Sequence, residues 1–309
     1  MSATAARLRD KMKVLSAEGK ISDESRVVFV DDGSRDNTWD VIEALSGQDP
    51  LFAGIALSRN RGHQYALLAG LTAVRDEADM VISIDADLQD DINAIDKMVD
   101  KYLEGFDIVL GVRRSREKDG VFKRVTAECY YKLLGKFSRD VVFNHADFRL
   151  MSSRTLAALS EYGEHGLYLR GLIPMLGYKT AIVEYERGVR LAGESKYPLK
   201  RMLALALDGV MSLSLQPLRI VTWMGVLSVF LAAVLFIYSI VMLAAGYSML
   251  NWKIITVSIW FVGGLILFAL GIVGEYVGRT YTETKRRPRY HIDRTTGNFA
   301  GRTDGDQSV

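Results

Sequence analysis

Two aspartates spaced Asp-Ala-Asp, Asp85 and Asp87, follow the apolar run 80–84, and a second acidic pair, Asp31 and Asp32, follows the run VVFV at 27–30. Carboxylates two residues apart point the same way in extended backbone and converge in a turn, where they suit one hard cation. Mg²⁺ or Mn²⁺ takes one or two such groups, keeps water, and uses substrate phosphates for its remaining ligands. A lone acidic turn is more often a solvated one, but two acidic strand ends in one domain favour a binding role. Asp90 and Asp91 are better placed to serve the start of the next helix, where negative charge is favoured. Asp36 and Asn37 read as a turn or cap.

The elements that must carry these residues alternate. Short apolar strands are predicted at 27–30, 53–57, 80–84 and 107–110, with helices at 38–45, 65–74 and 92–103 between them. Trp39, Ile42 and Leu45 recur at helical spacing. This order predicts an α/β domain with a mostly parallel sheet flanked by helices, whose ligands lie beyond the carboxyl ends of the strands. Neither GxGxxG nor GxxxxGK[ST] occurs, so no glycine-rich phosphate loop is expected.

The rest of the chain asks for a different solvent. Its 309 residues are 49% hydrophobic and 25% charged, with mean hydropathy +0.08. A net charge of +2 gives no reason to expect nucleic acid as a partner, and one cysteine, Cys129, excludes a disulfide framework or thiolate-rich metal site. Residues 220–246 and 254–274 carry no formal charge. The second run is ~31 Å long as a helix, close to the thickness of a bilayer core. Trp223, Tyr247, Trp252 and Tyr276 sit near the ends of these runs, where amphipathic rings prefer the interface. Lys200, Arg201 and Arg219 precede the first run, and Arg279, Lys285, Arg286, Arg287 and Arg289 follow the second. The positive-inside rule therefore places both termini in the cytoplasm and the 247–253 turn outside. The start, MSATAARLRDK, lacks the apolar stretch of a signal peptide. Residues 196–216 mix Leu199, Met202, Leu203 and Leu205 with Lys196, Lys200 and Arg201, the pattern of a helix lying at a membrane surface.

The segments FVDDGSRDNTWDVI (29–42), LSRNRGHQYALLAGL (57–71) and ISIDADLQDD (82–91) resemble family 2 glycosyltransferases. ADFRLMSSR (146–154), GLYLRGL (166–172), GESKYPLKRMLALALDGV (193–210) and PLR (217–219), with two apolar runs behind them, are similar to the polyprenyl-phosphate branch of that family. The resemblance implies a GT-A-type catalytic domain over 1–195, a juxtamembrane interfacial segment over 196–219, a two-helix transmembrane hairpin over 220–274 and a basic tail over 275–309. It implies inverting transfer of a sugar from a nucleotide donor, UDP-glucose first, to undecaprenyl or another polyprenyl phosphate at the inner face of the cytoplasmic membrane.

Carried onto this sequence, the resemblance assigns Asp31, Asp32, Asp85, Gln89 and Arg113 to the donor and Asp87 to Mg²⁺ or Mn²⁺. Asp147 and Asp85 become the catalytic pair, with Asp147 either taking a proton or orienting the phosphate through Arg149. Arg124, Arg149, Lys196, Lys200 and Arg201 are expected to face the acceptor phosphate. His63 is expected to do structural work or contact the donor. The lipid bilayer is an expected partner, and homo-oligomer formation is left open. In one respect the chain departs from the pattern: the apolar strand ending in a Tyr-Asn-Glu-type motif is not found before Val27, and residues 4–17 resemble the helix that follows that strand. Lacking that strand leaves a sheet edge exposed. The alternatives are a membrane-anchored nucleotide-sugar-binding scaffold, or an N-terminally incomplete and weakly active transferase.

Overall fold

The computed structural model describes residues 1–87, 89–114, 145–164, 168–186, 216–245 and 252–297. Arg124, Cys129, Lys196, Lys200 and Arg201 lie outside these residues, as does most of the expected interfacial segment. The chain divides into two compact units, one formed by residues 1–203 and 288–309, the other by 204–287.

In the first unit, α1 (Ser2–Ala17) precedes an alternation of β1 (Val27–Asp31), α2 (Thr38–Gln48), β2 (Phe52–Leu57), α3 (His63–Val74), β3 (Met80–Ser83), α4 (Ala94–Leu103) and β4 (Ile108–Arg113). Then come β5 (His145–Ser152), α5 (Ser153–Ser160), α6 (Leu169–Met175) and β6 (Thr180–Tyr185). The strands form a 3-stranded sheet, β1-β2 plus a late strand β7 (Ile292–Thr296), and a 4-stranded sheet in the order β3-β5-β4-β6. The expected mostly parallel sheet is corrected here to two mixed sheets. β1 with β2 and β4 with β6 are parallel, while β7 lies antiparallel to β2, and β5 lies antiparallel to both β3 and β4. The reason is β5, which inserts between β3 and β4 and reverses the direction of both contacts. Among the described residues β1 and β3 each end a sheet, and β1 and β3 are only partly buried where β2 is buried throughout.

The period of two along the strands sorts the core. Val109, Phe148 and Leu150 pack with Leu8 and Leu15 of α1 and Met98 and Val99 of α4 on one face. Ile108, Leu110 and Met151 pack with Leu68 and Leu71 of α3, Leu156 and Leu159 of α5 and Leu172 of α6 on the other. Helix α4 shows why it forms: Ala94, Ile95, Met98 and Val99 make one buried stripe at helical spacing. Ser152 caps α5, its hydroxyl accepting from the Thr155 amide at 3.4 Å. Because Phe148 and Leu150 take the α1/α4 face, Asp147 and Arg149 necessarily take the face shared with α3 and α6.

The second unit holds α7 (Gln216–Ala244) and α8 (Trp252–Thr284), which touch each other. Ser258–Thr284, 27 residues with an 18-residue window of mean hydropathy 1.9, is long and apolar enough to cross a membrane; α7 contains a shorter apolar stretch, Ile220–Ala232. Arg279 donates from Nε to Glu275 Oε1 at 2.9 Å, one turn apart near the end of α8. The segment expected as a basic tail is structured in part. It continues α8 to Thr284 and returns as β7, paired from Gly54↔Thr296 to Leu57↔Ile292.

Candidate active site

The site is built at the end of β3. The antiparallel register pairs Ser83 with Arg149, and the Ser83 hydroxyl donates to the Asp147 carbonyl at 2.6 Å. Two residues further on is Asp85, near enough to Asp147 for their charges to repel. His63, the first residue of α3, stands between them, with Nε2 3.0 Å from Asp147 Oδ2 and 3.9 Å from Asp85 Oδ1. An ionised carboxylate only accepts, so the contact with Asp147 places the imidazole proton on Nε2.

Asp147 is the hub. Its side chain is 3% exposed and takes three donors besides the sheet. Arg149, two residues along the same strand face, donates from Nη2 to Oδ1. Arg170 of α6 donates from Nε to both oxygens at 3.1 Å and from Nη2 to Oδ2 at 2.6 Å. Burial alone would push the Asp147 carboxyl up; the hydrogen bonds from His63 and Arg170 overcome that and hold it well below the usual carboxylate range. His63 is pushed up from its ordinary value, first by its hydrogen bond to Asp147. Asp85 is also pushed up, first by burial and then by its acidic neighbours Asp90, Asp147 and Asp87, against the pull of His63.

A second cluster lies beside the first. The Tyr185 hydroxyl donates to Asp90 Oδ1 at 2.5 Å, and Arg113 donates to the same oxygen at 3.3 Å and to the Tyr185 hydroxyl at 3.2 Å. Asp90 is therefore a core partner of Arg113, not the helix-start residue expected; Asp91 does serve there, accepting from the Asn93 amide at 3.0 Å. Gln89 is buried, with its amide donating to Asp87 Oδ1 at 3.1 Å. The α1 helix reaches this turn as well, Thr4 Oγ1 donating to the Ala86 carbonyl at 3.0 Å.

The acidic pair at the end of β1, expected at the donor, also holds the backbone around it. Asp31 is buried and accepts from the Ser34 amide and hydroxyl. Asp32 spends one oxygen on the Arg61 amide at 2.7 Å and the other on the Gly62 amide at 2.8 Å. Directly after them Gly33 has φ +64°, and a Cβ there would sit 2.5 Å from the Arg59 carbonyl carbon. DDGS is thus a clasp on the 59–62 loop that presents His63. Arg149, expected at the acceptor phosphate, lies in the interior: it is 1% exposed and its guanidinium donates to Asp147 and, at 3.4 Å, to the Leu169 carbonyl. The sequence missed Arg170, although it lies within GLYLRGL; no local pattern marks a helical arginine as the partner of an aspartate on a distant strand.

Among the described residues no three His, Cys, Asp or Glu stand together as a metal cage. What is present is Asp87 beside Asp85 in a turn where surrounding carboxylates disfavour further negative charge. That donor set fits a hard cation which takes few protein ligands and completes its shell with phosphate oxygen and water.

The family described as glycosyl transferase family 2 matches residues 12–159. The uncharacterized glycosyltransferase YkoT of Bacillus subtilis (strain 168) is 47% identical over 290 residues, covering 94% of this chain and 86% of the relative. The prophage bactoprenol glucosyl transferase homolog of Escherichia coli (strain K12) is 41% identical over 276 residues, covering 88% and 89%. The bactoprenol glucosyl transferase of Shigella phage SfX is 41% identical over 274 residues, covering 87% and 88%. With identity of this order running through both units, the chain belongs to the family 2 glycosyltransferases and is related to the bactoprenol glucosyl transferases within them.

Proposed function

We propose that the protein transfers a hexose, first of all glucose from UDP-glucose, to undecaprenyl phosphate or another polyprenyl phosphate, with inversion at the sugar carbon, at the cytoplasmic face of a membrane. The observation that carries this reading is the junction of Asp85 and Asp147 through His63, beyond the end of β3. The names of the relatives supply the lipid and the sugar.

A lipid phosphate, with a second pKa near ~6, is already largely a nucleophile at neutral pH. One of its oxygens forms the new bond to the anomeric carbon while the bond to the donor diphosphate breaks, and the diphosphate leaves with the electron pair. No proton has to be removed, which agrees with a carboxylate like Asp147 whose proton affinity is held low. In this reading Asp147 orients His63 and Arg170, Asp85 faces the sugar, and Gln89 and Arg113 line the donor side. Asp87 would hold Mg²⁺ or Mn²⁺, which would offset the charge that builds on the leaving diphosphate. The proposed topology is a hairpin of α7 and α8 with both termini cytoplasmic, and the assignment of Arg124, Lys196, Lys200 and Arg201 to the acceptor rests on the sequence.

The test is a transfer assay in membranes with a panel of UDP- and GDP-sugars and undecaprenyl phosphate. The expected product is a lipid-linked hexose formed from UDP-glucose and abolished by a chelator. Nucleotide-sugar binding without transfer from any donor would identify a scaffold instead.

A further inference from the structure

Tyr185 received no role from the sequence, and we propose that it is a positioning residue for the nucleotide donor: its hydroxyl, acting through Asp90, holds the turn that carries Asp85, Asp87 and Gln89. This role rests on the donor reading of that turn.

Tyr185 and Arg113 are the last residues of β6 and β4, and they pair with each other in the parallel register. Both side chains converge on one oxygen. Asp90 Oδ1 accepts from the Tyr185 hydroxyl at 2.5 Å and from Arg113 Nη2 at 3.3 Å, and Arg113 Nε donates to the Tyr185 hydroxyl at 3.2 Å. A carboxylate whose side chain is 1% exposed is thereby fastened to two strand ends. Its other oxygen has no partner among the described residues, so losing a donor would leave the buried group still further from satisfied. Burial, and then the bond to Asp90, push the Tyr185 phenol well above its ordinary value, so the hydroxyl remains a donor throughout the neutral range.

The anchor transmits directly to the donor side. The Gln89 amide, adjoining Asp90 along the chain, donates to Asp87 Oδ1 at 3.1 Å. Asp90 therefore fixes the backbone that aims Asp87. The turn needs such a tie, because Asp90, Asp147 and Asp87 all repel Asp85. The ring of Tyr185 is held separately from its hydroxyl. It meets Phe148 edge-on with centroids 5.3 Å apart, and it lies so near Gly111 that a Cβ there would come within 3.0 Å of it. Tyr185→Phe keeps this packing and removes only the hydroxyl, which separates anchoring from core filling.

The full chain in detergent micelles, as wild type, Tyr185→Phe and Val183→Ala, tests this in two arms: hydrogen exchange of the peptide spanning 84–93 without ligand, and calorimetry with UDP and GDP in the presence of Mn²⁺. Tyr185→Phe should speed exchange across that peptide by at least fivefold and weaken the tighter-bound nucleotide by at least fivefold. Val183→Ala thins the same core two residues earlier on β6. It should lower the melting temperature while leaving both arms within twofold of wild type. Equal weakening in Val183→Ala would overturn the proposal, since loss of packing would then suffice. If Tyr185→Phe fails to fold, Asp90→Asn decides alone, with at least threefold weaker nucleotide binding expected and unchanged binding overturning the proposal. A folded Tyr185→Phe that binds the nucleotide within twofold of wild type would also overturn it, whatever its exchange, and leave Tyr185 as a brace for the core. A wild type that binds neither nucleotide would instead defeat the donor reading itself, and this role with it.

Discussion

His63 and Asp147 meet at 3.0 Å although 84 residues separate them in sequence. The contact joins the start of α3 to the middle face of β5, and it sets the electrostatics of the site. Asp147 raises the pKa of His63 above the ordinary value of 6.5. The stabilisation from the charged pair is therefore complete below about pH 6.5 and is lost as pH rises through the raised value. An imidazole NMR titration should place the His63 midpoint above 6.5, and Asp147→Asn should bring it down; a wild-type midpoint below 6.5 would contradict the arrangement.

Asp87→Asn keeps the size of the side chain but removes the charge that a hard cation requires. Metal-dependent turnover should disappear while the variant retains its thermal midpoint. Unchanged rate and metal dependence in the same membranes would remove Asp87 from the metal assignment.

Gly33→Ala tests the clasp. Its φ of +64° disfavours any side chain, and the new Cβ would collide with backbone at Arg59 and Asn60. A loss of about 1–3 kcal/mol is expected from the strained conformation. Because the 59–62 loop must move, the His63 resonance should shift as well. A variant with the wild-type melting temperature and His63 shift would show that the loop does not depend on this approach.

Deleting residues 288–309 removes β7 and uncovers the Gly54–Leu57 edge of β2. An exposed edge next to fully buried residues favours aggregation and proteolysis. The truncated protein should be cut by added protease near 50–60 faster than the full chain. Equal resistance would mean that β7 contributes little to the sheet.

A reporter fused after residue 309 should be active on the cytoplasmic side, because Arg and Lys crowd the end of α8. Activity only in the external compartment would reverse the proposed hairpin.

The first four strands were legible because each is a short apolar run closed by acidic or glycine-containing turns, and observed bounds differ from the expected ones by at most a few residues. The later strands were not. β5 carries Asp147 and Arg149 in its middle, and their burial makes sense only once His63 and Arg170 arrive from other elements. β7, Ile-Asp-Arg-Thr-Thr, has one apolar residue and is mostly exposed, so its strand character comes from the edge of β2 it covers. The aspartates were legible as a set, but not their division of labour. Asp32 reads as a ligand-binding residue, and no local pattern announces that its two oxygens also accept the Arg61 and Gly62 amides.

The pairing of β7 with β2 also fixes an order of events during synthesis. The strand that closes the first sheet is encoded after both long apolar helices, so Gly54 waits for Thr296. At roughly 5–20 residues per second, the outer edge of β2 stays open for ~10–50 s after it leaves the ribosome. Over that interval the Gly54–Leu57 edge presents unpaired backbone N–H and C=O groups. A chain released early, before residue 292, keeps that edge open permanently, which gives the cell's proteases a single local mark of an unfinished polypeptide.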